Sequence, residues 1–224
     1  MLLLSIDTSG KYGSIALSLC NSDGRCDAIE VVPLVGGTFS AELVPQIAAL
    51  LAKHGFSKQD IDGFAVATGP GSFTGLRVGL AAIKALAEVL GKPIAAVSLL
   101  EAVAGAGSEV GRVLAVMDAG RKEVFAGDCE VDASHSKIRV TGEELVRLDE
   151  LSSRVHGRRV LTPDEDLGNQ LGQNGVTIQI VTRPRSDAIA RLGWRKIQAG
   201  ETVTPEQLEA NYIRRSDAEI FSKP

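Results

Sequence analysis

The chain has 224 residues, 44% hydrophobic and 23% charged, with a formal net charge of −4. That is long enough for one large or two small domains with a real core, and the composition is that of an ordinary globular protein. The acidic balance argues against nucleic-acid binding driven by a strongly basic surface, while leaving room for nucleic-acid chemistry through a partner.

Cys20, Cys26 and Cys129 are too few and too scattered for a disulfide framework or a metal knuckle, so reduced strand or core cysteines are expected. Leu2-Leu3-Leu4 lacks the basic flank of a signal peptide, and no segment approaches the roughly 20 apolar residues of a membrane span. A cytoplasmic location with no membrane contact is therefore expected.

Residues 2–6 form an almost wholly apolar run, as in a central strand covered on both faces, and the run stops at Asp7-Thr8-Ser9-Gly10. A period-two strand follows over 14–20, then turn chemistry at Asn21-Ser22-Asp23-Gly24, then a third strand over 25–32. Leu43, Ile47, Leu50 and Leu51 recur at helical spacing, with regular helix expected to begin near Pro45 or bend there, and Gly55 to stop it. A strand over 64–68 leads into Gly69-Pro70-Gly71-Ser72-Phe73-Thr74-Gly75 and a helix from 74 to about 90. Another buried strand covers 94–97, and a short helix over 101–106 runs into a Gly/Ser stretch, 105–111, the best candidate boundary.

Past it the pattern restarts. Val113 to Met117 lead into Asp118-Ala119-Gly120 and return as Val124-Phe125-Ala126, much as Leu3 to Ile6 lead into Asp7 and return as Ser14-Ile15-Ala16. A duplicated hairpin lobe is the implication. Further on come a strand at 138–140, helical spacing at Leu145, Leu148 and Leu151, and a strand at 159–162. A Gly/Asn-rich passage at 168–175 precedes a strand at 176–181 and a helix over 187–199.

Strand, glycine loop and helix start suggest an anion site, because backbone N–H groups at such a place point outward. Yet the loop lacks the Lys-Ser/Thr of a Walker loop, the spacing of a dinucleotide fingerprint and the glycines of a nucleophile elbow around Ser72. A stiff strand-to-helix turn is the stronger reading, with phosphate contact left open. Asp7 and Asp118, each ending a buried strand, suit either a hydrated magnesium ion facing phosphates or a turn-capping carboxylate, with capping favoured. The charges of the following helix, Arg77, Lys84 and Glu88, fall on one narrow stripe. A helix so nearly apolar all round is either core or covered by a partner, and both readings stand. His54, His135 and His156 lack metal-ligand spacing. The pairs Arg158-Arg159 and Arg214-Arg215 are too small for a nucleic-acid footprint.

Ile6-Asp7-Thr8-Ser9, the run from Gly69 through Leu76-Arg77-Val78-Gly79, Met117-Asp118-Ala119 with Glu123-Val124-Phe125, and the closing Asn211-Tyr212-Ile213-Arg214-Arg215 together resemble the TsaB (YeaZ) family of bacterial tRNA threonylcarbamoyladenosine biosynthesis. Phe39 stands where that family usually has a His. The resemblance implies an α/β, two-lobed actin-like (ASKHA, RNase H-like duplicated) fold. The expected division is an N-terminal partner-binding lobe, 1–108, and a C-terminal lobe, 109–224, with the tail 201–224 packing back on the first.

The implied function is that of a non-catalytic scaffold in forming N6-threonylcarbamoyladenosine in ANN-decoding tRNAs. It would pair with the transferase TsaD, whose metal-binding histidine pair is missing here, and with the ATPase TsaE. It could also homodimerise, and would meet tRNA only through the complex. No metal or cofactor is expected on this chain, ATP and magnesium belonging to the complex. Candidate nucleotide or phosphate-loop residues are Asp7, Thr8, Ser9 and Asp118; the glycine loop contributes Gly69, Gly71, Ser72 and Gly75. Candidate interface residues are Leu76, Gly79, Leu80, Ile83, Leu43 and Ile47, and Leu80→Glu is expected to weaken the complex without unfolding the lobe. The alternatives are an ASKHA nucleotide-dependent phosphotransferase and a hydrolase using Ser72.

Overall fold

A run of three strands, a helix, a strand, a helix, a strand and a helix occurs twice along the chain. In the computed structural model, which describes residues 1–214 other than 136, 156 and 174, the first run comprises β1 (Leu2–Asp7), β2 (Tyr12–Cys20), β3 (Cys26–Val35), α1 (Phe39–Lys53), β4 (Gly63–Gly69), α2 (Phe73–Leu90), β5 (Ile94–Ser98) and α3 (Leu99–Gly105). The second comprises β6 (Gly111–Gly120), β7 (Glu123–Val131), β8 (Ile138–Arg147), α4 (Leu148–Val155), β9 (Arg159–Thr162), α5 (Glu165–Gln173), β10 (Ile178–Ile180) and α6 (Ser186–Gln198). The sheets have orders β3-β2-β1-β4-β5 and β8-β7-β6-β9-β10. In each, the first three strands form an antiparallel meander and the last two run parallel to the first. This duplicated order is the two-lobed actin-like, RNase H-like α/β fold.

In the first unit, alternation along β1 sends Leu2, Leu4 and Ile6 into a core shared with Leu43 and Ile47 of α1 and Leu80 and Ile83 of α2. The intervening Ser5 faces α6, its hydroxyl donating to the Ser186 carbonyl at 2.7 Å. Both faces of β1 and β4 are thus covered, and every residue of both strands is buried, which is why they read as continuous apolar runs. The start of α6 is pinned to β2: Ser186 N–H donates to Ser14 Oγ at 2.9 Å and Ser186 Oγ to the Ser14 carbonyl at 2.6 Å. Farther along α6, the Trp194 indole N–H donates to the Asn21 carbonyl at 3.0 Å.

In the second unit, Leu114, Val116, Val124 and Val146 pack with Leu151 and Val155 of α4 and Leu167 and Leu171 of α5. There α3 lies on β6, β7 and β8, with the Cβ of Leu100 directly over Gly127. Among the described residues no helix is long and apolar enough to cross a membrane.

Among the described residues the two units are Met1–Ser98 with Arg185–Asn211, and Leu99–Pro184 with 212–214. This differs from a division at 108/109, and the cause is the third helix of each run. By sequence α3 belongs to the first half and α6 to the second, but each packs on the other half's sheet.

Other differences have local causes. Helix α1 starts at Phe39, before Pro45, because the Thr38 carbonyl accepts from Ala41 and Glu42 N–H while Phe39 and Leu43 anchor the first turns in the core. Leu145 lies in β8, paired with Phe125; ladder pairing there overrides helical spacing. The 168–175 passage is largely α5, since Gly168 is where β9 and β10 side chains press on the helix. Cys20 and Cys26, expected reduced, face each other in the β2–β3 register and are joined as a disulfide. Directly opposite residues are the positions where hairpin side chains come within such reach. Cys129 is free and buried.

Candidate functional site

Strand β4 ends at Gly69 with φ +122°, a backbone state open to glycine. Just before it, the Thr68 carbonyl accepts from Asn211 N–H at 2.8 Å. Ser72 caps α2, its Oγ accepting from Gly75 N–H at 3.3 Å; such a cap is worth about 1 kcal/mol. The loop and the turn after β1 lie in backbone contact. Ser72 N–H donates to the Ser9 carbonyl at 2.5 Å, and Thr8 Oγ1 donates to the Gly75 carbonyl at 2.8 Å. A Cβ at Gly71 would overlap the Ser9 carbonyl oxygen, one at Gly75 the Thr8 carbonyl oxygen, and one at Gly79 the Thr8 hydroxyl. These glycines, four residues apart, let the 7–9 turn rest against the start of α2.

The structure therefore brings Thr8 and Ser9 together with Gly71, Ser72 and Gly75, as a seat for α2. The N–H groups of Ser72, Gly75 and Leu76 are engaged by Ser9 O, Ser72 Oγ and Ser72 O, so they do not point outward as a phosphate cradle requires. Asp7 and Asp118 belong to different units and do the same local job. Asp7 Oδ1 accepts from Ser9 N–H at 2.9 Å, and Asp118 Oδ1 accepts from Gly120 N–H at 2.8 Å. The carboxylate closing its own turn two residues on is repeated with the fold.

The six interface candidates are all buried within the chain itself. Leu76, Gly79, Leu80 and Ile83 are buried in α2, and Leu43 and Ile47 in α1. Leu80 is only 5% exposed, so Leu80→Glu strikes the core. The outward apolar surface is a second stripe on each helix. On α1 it is Ala41, Val44, Pro45, Ala48, Ala49 and Ala52, all exposed; on α2 it is the exposed Ala81, Ala85 and Val89, beside Val78, Ala82 and Leu86, which are half-buried against the core. Both sets follow the spacing i, i+3, i+4, i+7, i+8, i+11 of one helix face. Val44 and Val89 are 64% and 74% exposed. The two helices pack beside each other, and the alanines leave room for a partner helix to come close. This stripe was countable from spacing alone; only the sheet reveals which stripe it leaves uncovered.

Phe39 is buried with its ring against Gly13, a packing role. His54 and Lys53 each meet Glu30 at 2.7 Å. Lys53, then His54, holds Glu30 below the usual carboxylate range. His135 lies in the β7–β8 connection, while His156 and Arg215 lie outside the described residues. Arg158 pairs with Asp128 and Arg159 with Glu109, and Arg214 meets Glu123 at 2.5 Å. Burial pushes the Cys129 thiol up to about 12, so it stays protonated at neutral pH. Among the described residues no group of three or more His, Cys, Asp or Glu could hold a metal ion.

The family model for TsaD, tRNA N6-adenosine threonylcarbamoyltransferase, matches residues 31–218. The tRNA threonylcarbamoyladenosine biosynthesis protein TsaB of Bacillus subtilis is 30% identical over 98% of this chain and 96% of that protein. The Escherichia coli protein of the same name is 29% identical over 97% and 96%. Among solved structures, YeaZ from Pseudomonas aeruginosa is 27% identical with a TM-score of 0.72, over 94% of this chain and 100% of that one. A glycine loop spent on seating a helix, in a duplicated fold matched almost end to end, places the chain in the TsaD-type threonylcarbamoyltransferase family, within its TsaB (YeaZ) branch.

Proposed function

We propose that the chain is a non-catalytic scaffold and activator in the formation of N6-threonylcarbamoyladenosine in ANN-decoding tRNAs, working in the cytoplasm with a TsaD-type transferase and the ATPase TsaE. The relatives named for threonylcarbamoyladenosine biosynthesis match nearly the whole chain, which supports a part in this tRNA modification. The observation that carries the scaffold role is the outer apolar stripe on α1 and α2. An exposed apolar face carried by two neighbouring helices is what a helix-pairing partner covers, and in the partner's absence a second copy of this chain can take its place. The caps that Ser72 and Asp7 make on α2 and on the 7–9 turn support the scaffold reading over the rival enzymatic ones.

Mixing the chain with its cognate TsaD-type transferase at micromolar concentration and running size-exclusion chromatography tests the proposal. Co-elution is expected, with Ala85→Glu and Val44→Glu each abolishing it while leaving the melting temperature within a degree or two of wild type, since both positions are exposed. Two independent wild-type peaks, or undiminished co-elution of both variants, would overturn it.

A further inference from the structure

Cys20 closes β2 and Cys26 opens β3, and the two stand directly opposite each other in the ladder. The bond between them spans a sequence separation of six, so it closes a short loop, and short loops gain least from a cross-link. The hairpin does not depend on it, because the ladder runs on from Leu19↔Asp27 to Tyr12↔Val35. What the bond fixes is the turn beyond it. Asn21 N–H donates to the Arg25 carbonyl at 2.8 Å and Gly24 N–H to the Asn21 carbonyl at 3.1 Å. The same turn holds the end of α6: the Asn21 carbonyl also accepts from the Trp194 indole, and the Ser22 carbonyl accepts from Gln198 Nε2 at 3.2 Å.

Both cysteines are buried, Cys20 2% and Cys26 5% exposed, but every residue of the 21–25 turn beside them is exposed. Lifting that turn admits a small thiol to the sulfurs without unfolding the sheet. Cys129 does not compete. It lies in the other unit, and burial pushes its thiol up to about 12, so the thiolate that exchange requires does not form there at neutral pH. In the cytoplasm proposed above, thiols are kept reduced, and the disulfides that do form are transient and redox-sensing.

We propose that Cys20 and Cys26 are a reversible dithiol–disulfide site, with low-molecular-weight disulfides of the glutathione class as co-reactant, and that oxidation locks the 21–25 turn onto the end of α6. The thiolate of one cysteine attacks a sulfur of glutathione disulfide, and one glutathione leaves. The second cysteine, deprotonated in turn, attacks the protein sulfur of that mixed disulfide and expels the other glutathione. Two electrons pass from the pair to the small disulfide, and the two thiol protons end on the released glutathiones. Two glutathiones acting in reverse reopen the clip.

To test this, the folded chain is equilibrated in glutathione buffers running from fully reduced to fully oxidised, quenched in acid, and alkylated with N-ethylmaleimide in denaturant for mass spectrometry. All three cysteines should be alkylated at the reducing end and Cys129 alone at the oxidising end, in one transition that reverses. Amide hydrogen exchange of the two end states should differ at residues 21–25 and 194–198, about tenfold slower when oxidised, and agree in β4 and β5. Cys26→Ala should show the reduced-state exchange in every buffer, and Cys129→Ala the full wild-type response. A pair that stays oxidised in excess glutathione is a permanent staple, and one that stays reduced in excess glutathione disulfide is no redox site; either result overturns the proposal. So does a complete transition that leaves exchange at 21–25 and 194–198 unchanged. Because no partner is present, the outcome is separate from that of the scaffold reading.

Discussion

A methyl group at Gly75 would overlap the Thr8 carbonyl oxygen, and one at Gly71 the Ser9 carbonyl oxygen. Backbone oxygens cannot swing aside as the far end of a flexible side chain can. Gly75→Ala gains about 1 kcal/mol of helix propensity and loses more to the forced separation of helix and turn. A net destabilisation of about 2 kcal/mol is expected, read as a lowered urea midpoint with unchanged slope. Gly10→Ala is the control, because a Cβ there meets nothing within 4 Å, and it should shift stability by less than about 0.5 kcal/mol. Equal behaviour of the two variants would refute the packing role. Strand, turn and helix start were legible around this loop in the sequence. The reason for its glycines was not, because it lies in residues 7–9, far away along the chain. The Asp7 and Asp118 caps were legible, since each closes a turn two residues on.

Helix α2 carries two apolar stripes, and periodicity by itself counts both without saying which is inside. Burial decides it: Leu80 and Ile83 are sheet-facing and Ala85 and Val89 outward. Leu80→Glu places an unpaired carboxylate in the core, at a cost of about 3–5 kcal/mol, so circular dichroism should show a large fall in melting temperature whether or not a partner is present. Wild-type stability in that variant would show Leu80 to be outward after all. Misread elements elsewhere share a cause. Pro45 and the glycines of α5 oppose helix locally, but Phe39 and Leu43 on one side, and Leu167 and Leu171 on the other, bury enough apolar surface to override them. Propensity is a weak prior against packing of that size.

The repeat of Asp, turn and returning strand at the start of each half was the visible trace of a duplicated molecule, and the two sheets repeat strand for strand. Hidden from the sequence was the exchange of third helices, because nothing in α3 or α6 says which sheet its apolar side will meet. That exchange has a consequence for how the chain can be cut. A fragment of residues 1–108 keeps all five strands of the first sheet but lacks α6, whose Ile189, Leu192 and Trp194 are buried. At roughly 2 kcal/mol for each large side chain, those three account for about 6 kcal/mol, comparable to the whole stability of an ordinary domain. The fragment should therefore show no cooperative urea transition. Adding a synthetic peptide of residues 185–211 should restore one, with a blue shift in the fluorescence of Trp194, the chain's single tryptophan. A peptide ending at residue 184 and beginning at 148 should not substitute, since it carries only second-unit elements. If 1–108 unfolds cooperatively by itself, with native-like near-ultraviolet dichroism, then α6 is an accessory to the first sheet and not its missing half.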